Sequence, residues 1–260
     1  MYKELSLSEF KEHMHLPKNY KVEAFISYGG WNDRDFRNNI KKALKDLKIK
    51  YTSQSMKKYY GFLSDILEVK IKNKIYWFTI AYGGVKLSEY THLACILGSK
   101  MNIHTGSCGG LYPELNSLDI LLPTWTYGQE SSASMYDRSN KNFKYHADIK
   151  LSKKLEQKAK INNKTWNGPI ISCHAMLGET LNDVNSWSKE GYHGVEMETA
   201  TVFSISKHFN VPSASILYVS DNLIKGQISG DKSHENERAR RKNVRQEIYE
   251  IAIREMLGFK

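Results

Sequence analysis

Short apolar runs alternate with longer amphipathic stretches along this chain of 260 residues, and this limits the fold more than any other feature. Residues 22–27 (VEAFIS) and 213–220 (SASILYVS) read as buried strands. Residues 35–47 carry Phe36, Ile40, Ala43, Leu44 and Leu47 at the helical repeat, so they read as a helix with one apolar face. Further strands are expected at 66–72, 75–81 (joined to the last at Asn73), 101–105, 120–123, 168–172 and 193–196. Further helices are expected at 88–97, 151–160, 198–209 and 235–256. Strands separated by helices give a layered α/β fold with a largely parallel sheet. No linker, repeat or low-complexity segment divides the chain, so one domain over 1–260 is expected.

Ligands in such folds sit at the carboxyl ends of strands. Four segments stand at those ends: Gly29-Gly30, the glycine-rich 106–110, the acidic Glu196-Met197-Glu198, and Ser220-Asp221-Asn222. The glycines at 106–110 let a backbone approach an anion, or simply make a turn. Glu196 and Glu198 flank a strand-to-helix junction. A carboxylate there can accept both hydroxyl protons of a vicinal diol, can ligate a metal, or can favour the helix dipole as an acidic first turn. Glu196 lies in an apolar stretch, which the dipole explains less well. Asp221 is placed for a turn, an N-cap or a general acid.

The net charge of +10 raises nucleic acid or an anionic surface as partners. The lysines are spread as on a solvated helix face, however, as at Lys41, Lys42, Lys45, Lys48 and Lys50. The basic run Arg238, Arg240, Arg241 and Arg245 is interrupted by Glu235, Glu237, Glu247 and Glu250, so it too reads as a solvated helix. No nucleic-acid partner is expected. Cys95, Cys108 and Cys173 form no CxxC pair, which suits a reducing compartment. With no apolar leader at the N-terminus and no apolar run of membrane length, a cytoplasmic protein without a membrane partner is expected. The nine histidines form no H-x-x-x-H pair, so no metal site is expected.

Taken together, Gly106-Ser107-Cys108-Gly109-Gly110, Val195-Glu196-Met197-Glu198-Thr199-Ala200 and Val219-Ser220-Asp221 resemble the three signatures of the nucleoside phosphorylase and nucleosidase superfamily, in the same order. The resemblance runs over about 22–223. It implies a three-layer α/β/α sandwich around a mixed, twisted sheet. It also implies cleavage of the N-glycosidic bond of a nucleoside. Residue by residue, Gly30 and Arg34 fall on an early phosphate-binding G-x-x-x-R, and Ser107 on a further phosphate contact. Glu196, Met197 and Glu198 fall on the ribose segment. Asp221, with Ser220 beside it, falls on the group that protonates N7 of a purine base. Met176, 20 positions before Glu196, falls where the family stacks an aromatic ring on the base.

His104 departs from the pattern, because phosphorylases of the family carry a phosphate-gripping arginine there. A histidine would hold phosphate as the cation, and less well as pH rises through its pKa, ordinarily near 6.5. Nucleosidases of the family lack that arginine and read N-T-G-S, close to His104-Thr105-Gly106-Ser107, but carry an early glutamate where this chain has Asn32, Asp33 and Arg34. Met197-Glu198-Thr199-Ala200-Thr201-Val202-Phe203 is also similar to a segment of adenosine monophosphate nucleosidases. The expected activity is therefore purine nucleoside phosphorolysis, with hydrolysis as the alternative and a catalytically silent nucleoside sensor as a third reading. The resemblance implies inorganic phosphate as co-substrate, no organic cofactor, and assembly as a homo-oligomer, either a dimer or a hexamer built as a trimer of dimers.

Overall fold

The computed structural model describes residues 2–56, 61–129, 131–228 and 237–259. After a 3-10 turn at Tyr2–Glu4 comes helix α1 (Leu7–His13), closed at its start by a capping box between Ser6 and Glu9. Strand β1 (Val22–Gly29) leads into α2 (Asp33–Asp46), whose N-cap Asn32 accepts the amide of Asp35. That cap starts the helix two residues earlier than its apolar face alone indicates. Next come β2 (Thr52–Ser55), β3 (Leu67–Ile71), β4 (Lys74–Ala81), α3 (Gly84–Ile96), β5 (Asn102–Gly110) and β6 (Ile120–Tyr127). After these follow α4 (Ser131–Tyr136), β7 (Lys144–His146), α5 (Ile149–Ala159), β8 (Thr165–Ser172), α6 (Leu181–Lys189) and β9 (Gly194–Glu196). The chain closes with α7 (Thr199–His208), β10 (Ser213–Asn222) and α8 (Arg238–Met256). Glu235 and Asn236, expected to open the last helix, lie outside the described residues.

Among the described residues, all ten strands join one sheet. Parallel pairs (β1 with β4 and β5, β5 with β10, β8 with β6 and β9) alternate with antiparallel ones, so the sheet is mixed. The pairings β5–β10, β10–β6, β6–β8, β8–β9 and β9–β5 close a ring of five strands, from which β1, β4, β3 and β2 run outward. The β3–β4 hairpin turns on Lys72 and Asn73, both at positive φ. Two successive left-handed residues match the strand twist of a two-residue hairpin, and asparagine tolerates that region better than most residues.

Helices cover both faces. On one, Phe36, Ile40 and Leu44 of α2, Leu151 and Leu155 of α5, and Ile248 and Ile251 of α8 pack against Ile26, Phe78 and Ile216. On the other, Phe10 of α1, Leu87 and Leu93 of α3, and Phe203 of α7 pack against Phe25 and Trp77. Each such side chain contributes about 1.5–3 kcal/mol when fully buried. This is the expected three-layer α/β/α sandwich. Among the described residues, no helix is long and apolar enough to cross a membrane.

Two expectations change. The glycines at 106–110 form no turn: they lie inside β5, paired with β10 on one edge and, at Gly109 and Gly110, with β9 on the other. Gly109 is closely approached, since a Cβ there would stand 2.7 Å from the Leu223 side chain and 3.3 Å from that of Val195. Asp221 and Asn222 likewise belong to β10 and do not sit beyond its tip.

Candidate active site

The carboxyl ends of β1, β4, β5, β9 and β10 converge around Glu196 and Glu198. Glu196 ends β9, and its carboxylate folds back over the start of α7. Its Oε2 accepts the amides of Glu198 (2.9 Å) and Thr199 (2.8 Å), and its Oε1 accepts the Ser172 hydroxyl (2.5 Å) from the end of β8. The helix-dipole role read from the sequence therefore falls to Glu196, the residue it had seemed to explain less well. Burial raises the Glu196 carboxyl above the ordinary carboxylate range, against those three donors.

Glu198 is the N-cap residue of α7 and makes no side-chain cap bond. Its carboxylate turns the other way. Oε1 accepts the Gly83 amide at 2.6 Å, and Oε2 faces Gly29, where an added Cβ would stand only 2.5 Å away. Gly83 has a φ of 88°, a conformation that suits glycine. Met197 lies beside it, with its Cε 4.0 Å from the place of a Gly83 Cβ. Tyr82, next to Gly83 in the chain, lies edge to face with the exposed Trp31 ring, and its phenol is raised by burial and then by the charge of Glu198. The sequence reading missed Tyr82 and Gly83. The signal was available: a strand ending in a glycine pair, as at Gly29-Gly30.

His104 lies in the middle of β5 with no exposed surface. Its Nδ1 is 2.9 Å from the Ser27 hydroxyl of β1, and its Nε2 is 3.7 Å from Glu196 Oε2 and 3.9 Å from Glu198 Oε2. Burial pushes its pKa down to about 3, so the ring is neutral at pH 7. The expected titration near pH 6.5 is thus corrected by the tertiary setting. Among the described residues, His104, Glu196 and Glu198 form a group that could hold a metal, their donor atoms lying within 4.8 Å of one another.

Asp221 is buried at the end of β10. The Ser220 hydroxyl donates to its Oδ2 at 2.6 Å, and Arg241 of α8 reaches its Oδ1 at 3.5 Å while bonding the Ser220 carbonyl at 2.8 Å. Arg241, read from the sequence as part of a solvated helix, is 6% exposed and turned inward. Nothing local marks it, because four arginines and one lysine stand within eight residues.

The remaining sites are less tightly assembled. Gly30 donates its amide to Ala81, and Arg34 is exposed in the first turn of α2. Ser107 is half-buried opposite Tyr218. Among the described residues no hydrogen bond links Gly30, Arg34, Ser107 and His104. Met176 begins a short 3-10 turn and is 42% exposed. A cavity of about 480 Å³, lined by Tyr127, Cys173, Trp187 and Tyr192, meets the site at Ser172.

Carboxylates gathered at the carboxyl ends of inner strands of a layered mixed sheet define an α/β protein with its site at those strand ends. The chain belongs to the phosphorylase superfamily, whose sequence profile matches residues 73–257. It is 29% identical over 126 residues to a purine nucleoside phosphorylase DeoD-type of Thermoanaerobacter sp. (strain X514), covering 48% of this chain. That match spans about half of the relative, 54% of its length. It is also 25% identical over 207 residues to a purine nucleoside phosphorylase DeoD-type 2 of Vibrio vulnificus (strain YJ016), covering 74% of this chain and 85% of the relative. A DeoD-type relative from Clostridium beijerinckii is 25% identical over 191 residues, 65% of this chain and 77% of the relative.

Proposed function

We propose that this protein cleaves the N-glycosidic bond of a purine nucleoside with phosphate, as a purine nucleoside phosphorylase. One observation carries the reading. Gly109 of β5 pairs with Val195 on one side and Asp221 on the other. The Glu196-Met197-Glu198 segment and Asp221 therefore stand about two strand spacings apart, roughly 10 Å, the scale of a nucleoside. Glu198, with Met197 and Glu196 beside it, holds the ribose diol. Met176 and Ser220 border the base. As the C1′–N9 bond breaks, its electron pair passes to the purine and Asp221 gives a proton to N7. Phosphate, held by Arg34 and Ser107, then bonds C1′. The names of the relatives support the same reading. Homo-oligomer formation belongs to this proposal; in a hydrolase, the exposed Arg34 would instead meet a substrate phosphate or a neighbouring subunit.

A second reading, hydrolysis, is favoured by His104. A neutral ring beside two carboxylates attracts an anion far less than an arginine fork would. Incubation with inosine, adenosine and adenosine monophosphate, with and without phosphate, separates the readings. Base release that requires phosphate is expected. Equal release without phosphate makes the protein a nucleosidase, and saturable binding with no release makes it a sensor and overturns the proposal.

Gly29→Ala is expected to disable the same site. The new Cβ would collide with Glu198 Oε2. Nucleoside affinity should fall at least tenfold, with a stability loss of about 1–3 kcal/mol from overpacking. Calorimetric titration and a thermal melt check this, and unchanged affinity would show that the Glu198 carboxylate can move without consequence.

A further inference from the structure

Beside Gly29, one buried nitrogen lacks a partner. His104 Nε2 is enclosed and makes no hydrogen bond, although it faces two carboxylate oxygens. An orphaned polar atom in a protein interior is costly and calls for an explanation. We propose that His104 Nε2, Glu196 Oε2 and Glu198 Oε2 form a binding site for a first-row divalent cation such as Zn²⁺ or Mn²⁺. This goes beyond the choice of nucleophile, because the ion would supply positive charge at this position to either phosphate or water.

The geometry and the donor set support the site. Tetrahedral ligands at about 2.1 Å from zinc stand about 3.4 Å apart. The 3.7 Å and 3.9 Å separations from Nε2 thus need to close by only a few tenths of an ångström. Room exists beside the ring, since Gly29 and Gly106 flank it and a Cβ on either would stand 3.6 Å from a ring atom. One imidazole and two carboxylates suit zinc or manganese, whereas magnesium and calcium favour oxygen alone.

Each ligand is also held from behind, as metal ligands are. Nδ1 of His104 meets the Ser27 hydroxyl at 2.9 Å. With its proton on Nδ1 and donated to Ser27, the ring turns an Nε2 lone pair toward the carboxylates. Glu196 is held through Oε1 by the Ser172 hydroxyl, and Glu198 through Oε1 by the Gly83 amide, while the Glu198 and Thr199 amides bond Glu196 Oε2 itself and would share that oxygen with the ion. A carboxylate oxygen carries two lone pairs, so Glu198 can ligate through Oε2 and still accept a sugar hydroxyl.

The test is calorimetric titration of the chelator-stripped full chain with zinc chloride and with manganese chloride, magnesium chloride serving as the contrast. Wild type should take up one zinc or manganese ion per chain more tightly than magnesium. His104→Ala should lose that uptake. Ser27→Ala, which leaves all three ligands in place, should weaken it about 10–100-fold. A thermal melt of each variant shows whether it is folded, and Ser27→Ala remains informative if His104→Ala is not. Wild type that takes up neither ion overturns the proposal, as does His104→Ala that binds with wild-type affinity and stoichiometry. The titration contains no nucleoside, so the site can fail while glycosidic cleavage stands, and cleavage can fail while the site stands.

Discussion

Asp221→Asn is expected to lower turnover on purine nucleosides by about 10²–10⁴-fold, the usual contribution of a general acid. The carboxylate is buried and held in one orientation by the Ser220 hydroxyl and by Arg241. Asparagine has nearly the same shape but no proton of suitable acidity to give to N7. Arg241 keeps the Ser220 carbonyl and Glu237 as partners, so the variant should fold. Nucleoside affinity should change far less than turnover, because the group acts as the leaving base develops charge. A 7-methylated purine nucleoside carries that positive charge already and should be cleaved by the variant at close to the wild-type rate. Equal rates for wild type and variant on inosine would remove Asp221 from the mechanism. A 7-methylated substrate that stays as slow as inosine would remove its role as the acid.

Glu198→Ala should abolish recognition of the sugar. Hydrogen bonds to a charged group are worth about 1.5–3 kcal/mol each, so losing two from a ribose diol should weaken binding about 10²–10⁴-fold. The structural cost is separate and smaller. The Gly83 amide loses its acceptor, at about 1–3 kcal/mol if it is left unpaired. The start of α7 keeps Glu196, whose carboxylate accepts the first two amides. The measurement is a binding titration with a ribonucleoside and its 2′,3′-dideoxy analogue, run beside a thermal melt. Wild type should prefer the ribonucleoside, and the variant should lose that preference. A large fall in melting temperature with the preference intact would falsify the sugar-binding role and leave Glu198 as a structural residue.

The layered α/β plan was open to reading because strands and helices repeat side chains at different periods, as in 213–220 and 35–47. The acidic segment at 196–198 could be found for a related reason: it stands where one period gives way to the other. The glycines at 106–110 were misread because glycine has no side chain to display a period, so a strand and a turn look alike there. Short elements such as β2, β7 and α6 give too few repeats to be recognised.

The two glutamates show where local pattern stops. Their spacing announced a pair of carboxylates at a helix start, but not which would cap the helix and which would face the ligand. That division depends on Ser172 from β8 and Gly83 from the end of β4. Arg241 became a partner of Asp221 only when α8 packed across the end of β10. His104 is the clearest case. A histidine's charge depends on its surroundings, and these come from Ser27, 77 residues earlier, and from carboxylates about 90 residues later. Residue order along the chain carries the periods and the motif spacing, because those are local. Desolvation and the pairing of buried charges arise only when distant segments share a volume without water, and there the tertiary structure decided.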